Sequence, residues 1–212
     1  MGLQMESRCT CCRRLNVKLF LKGEKCSSSK CTLEKKKSAS ATRSRSRSRR
    51  SRMSQYARQL REKQKLRFKY GITETQFRRY YEKAEKMSGV TGEEFLRFLE
   101  RRMDNIAWRL GWASSRRQAR QLVFHGHFLV NGRKVWTPSF LLKQEDSIEL
   151  KDKSKKMDLI EQNLQSSNKQ TLPDWLEMDA KSQKAVVTKF PEKEELDQEI
   201  DVSLIVEYYS RK

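Results

Sequence analysis

Between Ser115 and Val135 the chain reads SRRQARQLVFHGHFLVNGRKV, and this run constrains the fold more than any other. Ser114 or Ser115 caps a helix, because a serine hydroxyl accepts an N–H that the first turn leaves unpaired. Ala119, Leu122 and Val123 fall on one face of that helix, while Arg116, Arg117 and Arg120 spread a basic face outward. Gly126 stops it. Phe128-Leu-Val130 then reads as an apolar strand, Asn131-Gly132 as a type I′ turn whose central residues need positive φ, and Arg133-Lys-Val135 as the returning strand. Ser147-Ile-Glu-Leu150 supplies a later strand, and Ile106, Trp108, Leu110 and Trp112 supply apolar bulk beneath a small sheet.

The sequence before this module is helical. Tyr56, Leu60 and Phe68, then Phe77, Tyr80, Tyr81, Ala84 and Met87, mark two amphipathic helices broken at Gly71. Thr91 followed by Glu94 has the spacing of a capping box, opening a helix with Phe95, Leu96, Leu99 and Met103 at helical intervals. Beyond Lys151, Leu159, Ile160 and Leu164 suggest another helix, residues 185–190 a strand, and residues 202–209 a final apolar element packing back on the body. The fold class is α+β: a mostly helical body, a module of helices plus a short antiparallel sheet, and an N-terminal knuckle. The expected divisions are 1–52, 53–102, 103–165 and 166–212.

The charge identifies the kind of partner. The 212 residues carry 47 Lys and Arg against 27 Asp and Glu, a net +20. Residues 1–70 hold 22 basic and 4 acidic side chains, whereas residues 151–212 hold 11 and 13. A polyanion is therefore expected to meet the N-terminal third first, and nucleic acid fits better than a membrane surface. No apolar run approaches the roughly 18 to 20 residues needed to cross a bilayer, and residues 1–10 lack the apolar core of a signal peptide, so the chain reads as soluble and not secreted. A large single-core enzyme is not expected from 36% hydrophobic residues.

All five cysteines lie at positions 9, 11, 12, 26 and 31. Cys9-x2-Cys12 and Cys26-x4-Cys31 form two close pairs able to close one tetrahedral site, leaving Cys11 over. Thiolates are soft ligands, and a four-thiolate set leaves no open position, so one structural zinc ion is expected rather than a catalytic one. A redox cluster or an unligated one is the alternative. Val17 to Gly23, between the pairs, reads as a short hairpin arm. Lys35 to Arg52, KKKSASATRSRSRSRRSR, reads as a basic arm that is disordered or ordered only by a partner; its Arg-Ser alternation resembles the tracts of splicing regulators, a phosphorylation target, but a basic extension that neutralises phosphates is the favoured reading.

Several residues invite sharper readings than they support. His125 and His127 flank a helix-ending glycine, which favours contact with RNA over metal binding or acid–base chemistry. Trp108, Trp112, Trp136 and Trp175 are assigned to packing. Asp104 with Asn105 is read as a helix cap, and Glu192, Glu194, Glu195 and Asp197 as a solvated face.

Ser115-Arg-Arg-Gln-Ala-Arg-Gln-Leu-Val-Phe-His-Gly-His with Val130-Asn-Gly132 resembles the RNA-binding module named after bacterial small-subunit ribosomal protein S-four. The residues from Tyr56 to Leu66, Tyr70-Gly71, Thr91-Gly92, Leu99-Glu-Arg-Arg-Met-Asp-Asn105 and Pro173-Asp-Trp175 extend the resemblance to that ribosomal protein family over nearly the whole chain. Cys9, Cys12, Cys26 and Cys31 resemble the ligand set of its zinc-binding, four-cysteine form. The resemblance implies a non-enzymatic, primary binder of small-subunit rRNA at a multi-helix junction of the 5′ domain. It further implies a role in nucleating assembly of the subunit body, a contribution to translational accuracy through ribosomal protein S-five, contacts with other small-subunit proteins, and residence on cytoplasmic bacterial ribosomes or, alternatively, organellar ones. Arg49, Arg50 and Arg52 match the positions that reach mRNA where it enters the subunit. The chain departs from the family in its Arg-Ser tract and in its extreme N-terminus, where Met5 is an alternative start.

On this reading Arg13 and Arg14 of the knuckle, Arg58, Arg61, Lys63 and Lys65 of the Tyr56 helix, Arg116, Arg117 and Arg120, and His125, His127, Asn131 and Arg133 contact RNA, with neither a membrane nor a small-molecule substrate as partner. Two other classes compete. An RNA-modifying enzyme or aminoacyl-tRNA synthetase using the same module would need a separate catalytic domain, and an mRNA regulator would be found apart from ribosomes.

Overall fold

The computed structural model describes residues 7–35, 53–167, 172–179 and 182–211. The chain divides into two compact units, residues 1–78 with 199–212 and residues 79–198.

In the first unit, α1 (Arg8–Leu15) ends where Asn16 turns left-handed, at φ 49°. A single turn, α2 (Glu24–Ser27), follows. The hairpin arm expected between them does not form: Asn16 and Phe20 both take positive φ, which breaks an extended run, and Leu19 turns inward to 3% exposure. α3 (Gln55–Tyr70) starts at Ser54, whose hydroxyl accepts the Ala57 N–H, and stops at Gly71 in the left-handed region. Cys11, Cys12, Leu15 and Leu19 pack with Phe68 of α3, so the thiol-bearing helix is fixed to the long helix by apolar burial. The last helix, α10 (Val202–Ser210), lies along α3, with Tyr208 beside Tyr56 and Tyr209 beside Phe77. The division between the units falls within α4 (Glu74–Glu85).

The second unit carries α5 (Thr91–Glu100), α6 (Met103–Arg109) and α7 (Arg116–Phe124). The N-cap of α5 is Val90, without a side-chain cap; Glu94 is held by Arg97 on its own helix, so the expected capping box is absent. Its acids still favour the positive end of the helix. Ser115 caps α7 as expected, its hydroxyl accepting the Gln118 N–H.

Strands β1 (Phe128–Val130), β2 (Arg133–Val135) and β3 (Ser147–Leu150) follow, then two short helices, α8 (Asp152–Lys155) and α9 (Asp158–Ser167). β4 (Leu176–Asp179) and β5 (Lys184–Val187) enlarge the sheet to five antiparallel strands in the order β2-β1-β3-β5-β4. Asn131 and Gly132 sit at φ 49° and 75°, as a type I′ turn demands. One face of the sheet buries Phe128, Val130, Ile148, Leu150, Ala185 and Val187 against the helices, with Trp112 stacked on Phe128 at 5.4 Å. Pairing with β3 places β5, and with it β4, on the same core; Trp175 and Leu176 are buried there.

Candidate nucleic-acid interface

In the second unit the arginines of α7 are positioned by a buried polar network that reaches it from α4, α5 and α6. Arg102, fully buried, donates two hydrogen bonds to Asp104, at 2.9 and 2.6 Å, and a third to the Tyr80 hydroxyl. Arg120 reaches the same carboxylate at 3.4 Å. Burial opposes the charge of Arg102, but the neighbouring Asp104 carboxylate outweighs it and the guanidinium holds its proton more tightly than usual; burial also lowers the affinity of Arg120 for its proton.

A parallel arrangement serves Arg116. Glu100, almost fully buried, accepts two hydrogen bonds from Arg109 and one from the Asn105 amide. That donation turns the Asn105 carbonyl toward Arg116 Nε, 2.7 Å away, while the Arg116 guanidinium lies over the Trp108 ring at 3.9 Å. Asp104 and Asn105 are therefore not a simple cap: they hold two arginines at defined angles. Each cluster holds one carboxylate and two guanidiniums, Asp104 with Arg102 and Arg120, and Glu100 with Arg109 and, through Asn105, Arg116, so positive charge remains where α7 meets solvent.

Arg117 points outward, as do Arg133 and Lys134 on β2. His125 is exposed; His127 is half-buried, hydrogen-bonded through Nδ1 to the Ser154 hydroxyl, and held toward its neutral form by burial and then by the positive field of His125 and Lys151. Asn131 spends its side chain on the fold: its amide donates to Asp146 and its carbonyl accepts the Ser147 N–H. It shapes the turn that carries Arg133.

In the first unit the basic residues divide in the same way. Arg58 is exposed, and so are Arg13, which bonds Thr10 and the Cys9 carbonyl, and Arg14. Lys63 is not a surface cation. Its ammonium is buried, donates to Glu74 at 2.7 Å and lies over the Tyr208 ring at 4.8 Å; α10, packed along α3, covers the position that periodicity assigns to solvent. Arg61 donates to the Leu15 carbonyl and Lys65 to the Glu199 carbonyl, which ties both to the fold. Arg49, Arg50 and Arg52 lie outside the described residues.

Cys9, Cys12, Cys26 and Cys31 line one small cavity with Lys22, Lys25 and Thr32. The Cys26 sulfur accepts the Lys22 N–H at 3.3 Å. A hydrogen bond with Thr32, followed by the charges of Lys22 and Lys25, draws the Cys9 thiol below its ordinary value, whereas burial raises Cys12. Four thiols around one cavity that four lysines also line are a donor set that suits a soft cation. As the side chains stand, however, no three His, Cys, Asp or Glu groups among the described residues converge closely enough to hold a metal ion. Cys11 turns away, buried in the apolar cluster under α3.

Sequence reasoning assigns Trp136 to packing, and the structure corrects this. Val135 faces the core and Trp136 the opposite side, 56% exposed. Strand alternation carries that signal. Trp112 and Trp175 are core residues as expected, and Trp108 is half-buried beneath Arg116.

Residues 4–100 match the family model described as Ribosomal protein S4/S9 N-terminal domain, and residues 101–148 match the S4 domain. The chain is 48% identical over 203 residues to the small ribosomal subunit protein uS4 of Geotalea uraniireducens, covering 96% of each chain. The chain belongs to the uS4 family. Two further members are the uS4 proteins of Thermodesulfovibrio yellowstonii, 45% identical with 97% of each chain covered, and Thermus thermophilus, 46% identical along the whole of both chains. The family is structural and non-enzymatic, and its S4 domain match covers the α6, α7 and β1–β2 surface described above. No helix among the described residues is long and apolar enough to cross a membrane.

Proposed function

We propose that this chain is a structural, rRNA-binding component of the small ribosomal subunit. The observation that carries the reading is the match to uS4 proteins over essentially the full length, with the S4 domain falling on the surface that presents Arg116, Arg117, Arg120 and Arg133. These cations neutralise phosphates, and the Asp104 and Asn105 networks fix the geometry of Arg120 and Arg116 before RNA arrives, which lowers the ordering cost of binding. Arg13, Arg14 and Arg58 extend the contact from the first unit, and Arg49, Arg50 and Arg52 approach mRNA where it enters the subunit. Exposed His125, and His127 behind it, complete the RNA contact at the end of α7.

On this reading the chain binds a multi-helix junction of 16S rRNA, pins its arms for later proteins, and supports decoding accuracy through ribosomal protein S-five. It works on cytoplasmic ribosomes of the bacterial type. Functionally the chain divides into a knuckle with a basic arm (1–52), a helical body (53–102), an RNA-binding module (103–165) and a C-terminal segment (166–212).

One structural zinc ion on Cys9, Cys12, Cys26 and Cys31 belongs to the same proposal. The support is their shared cavity and the Lys22 N–H directed at Cys26. Bound there, zinc would cross-link a segment whose apolar core is small.

Equilibrium binding to a transcript of the small-subunit 5′ domain, with a large-subunit transcript as competitor at several salt concentrations, tests the reading. Preference for the small-subunit transcript supports it; equal affinity for both contradicts it.

A further inference from the structure

We propose that Trp136, with Phe124 at the last position of α7 and His125 just after it, both leading into the Gly126 that seats the indole, forms a stacking platform for an unpaired base of RNA. The proposal rests on the RNA-binding reading above and assigns to it a site that does not depend on phosphate contacts.

Phe124 is 69% exposed and Trp136 56%, while Trp112 and Trp175 are wholly packed. Two such large apolar rings at one end of α7 serve no core. They are also not loose. The pyrrole side of the Trp136 indole rests on the backbone of Gly126, so closely that a Cβ there would come within 2.4 Å of Nε1 and 2.7 Å of Cδ1. Gly126 sits at φ +70°, which itself favours glycine, so the residue that ends α7 also seats the indole. The Phe124 and His125 rings meet edge to face at 6.1 Å, and His125 meets His127 at 6.4 Å.

The surrounding charge argues for a nucleotide rather than an apolar protein surface. Lys134 lies two residues before Trp136 and shares its side of the strand, and exposed Arg133 precedes it. Lys134, Leu129, Glu149, Lys184 and Asp179 form one row across the sheet, in which Glu149 is paired with Lys184 at 2.8 Å and Asp179, on the far strand, accepts the Ser182 hydroxyl. An exposed indole flanked by cations matches the way proteins bind unpaired bases, with the ring on the base and the cation on its phosphate.

The experiment uses the full chain and the 5′-domain transcript. W136A is expected to weaken binding by about tenfold with the salt slope unchanged, since stacking releases no counterions. W136F should recover most of the loss, and F124A, at a largely exposed position outside the core, should show a smaller loss of the same kind. Acrylamide quenching of intrinsic fluorescence reads mainly the exposed indole, and quenching should fall when RNA binds. Unchanged affinity of both W136A and F124A, with Trp136 still quenchable in the complex, overturns the platform while leaving the RNA-binding reading intact. Protection of Trp136 only in assembled subunits overturns it too, in favour of a protein contact. Failure of the wild-type chain to bind the transcript overturns both.

Discussion

Arg102 and Asp104 form a bidentate ion pair with the guanidinium fully buried and the carboxylate nearly so, two residues apart at the start of α6. The pair draws Tyr80 from one side and Arg120 from the other, so the buried carboxylate organises part of the basic surface from beneath. A buried pair of this kind is expensive to break, because removing one partner strands the other.

D104A should therefore destabilise the second unit by about 3 to 5 kcal/mol, whereas a D104L/R102M double variant should cost less. Urea denaturation of the three proteins checks this. A larger loss in the double variant would mean that the network is worth more than its desolvation.

G126A should destabilise by about 1 to 3 kcal/mol, since alanine at φ +70° is strained and its methyl group meets the Trp136 indole. Combining it with W136A should recover the part due to the clash and leave the part due to φ. Thermal denaturation separates the two contributions.

Acid should loosen the first unit through Glu74. Burial opposes its charge, but hydrogen bonds from Lys63 and Tyr209, with Lys63 and Arg67 as neighbouring charges, hold its carboxyl below the ordinary value. A carboxyl depressed in the fold contributes stability that is present above its unfolded value, near about 4.3, and is lost as pH falls through the folded one. E74Q should lower stability at neutral pH and flatten the acid limb of a pH–stability profile.

His127 acts in the same direction at higher pH. Burial depresses its proton affinity in the fold, so its contribution is present above the unfolded value of about 6.5 and declines as pH falls below it. H127Q, which keeps a polar partner for Ser154, should remove this step. NMR titration of the imidazole and of stability checks the link.

Zinc content gives a sharper chemical prediction. Purified under reducing conditions, the chain should carry one zinc per molecule by elemental analysis. C9S and C26S should lose it, and C11S should keep it while losing stability, because Cys11 is packed under α3. Retention of zinc by C9S would contradict the assigned ligand set.

Much of this was legible in the sequence wherever one local rule governed the outcome. Ser115, Gly126 and Asn131-Gly132 set the cap, stop and turn through hydrogen bonding and φ alone. The clustering of four cysteines around one cavity also followed from spacing. What was not legible depended on distant partners. Lys63 looks like one more cation on a basic helix, and only the packing of α10 makes it an internal ion. Asp104 and Asn105 look like caps until Arg120 and Arg116 are brought to them from α7. The fourth strand was not anticipated, and the strand expected at 185–190 was not assigned to the sheet, because β5 joins a partner 39 residues earlier in the register Ser147 to Val186, a pairing that no local pattern encodes. Trp136 was misjudged because residue type favours the core, although alternation after Val135 points it outward.

The central claim, residence on the small subunit through rRNA, is tested most directly by sedimenting the endogenous protein through a sucrose gradient after a high-salt wash. Retention in the small-subunit peak is the predicted result. Release into the free fractions would contradict the structural role and leave only the fold in common with the family.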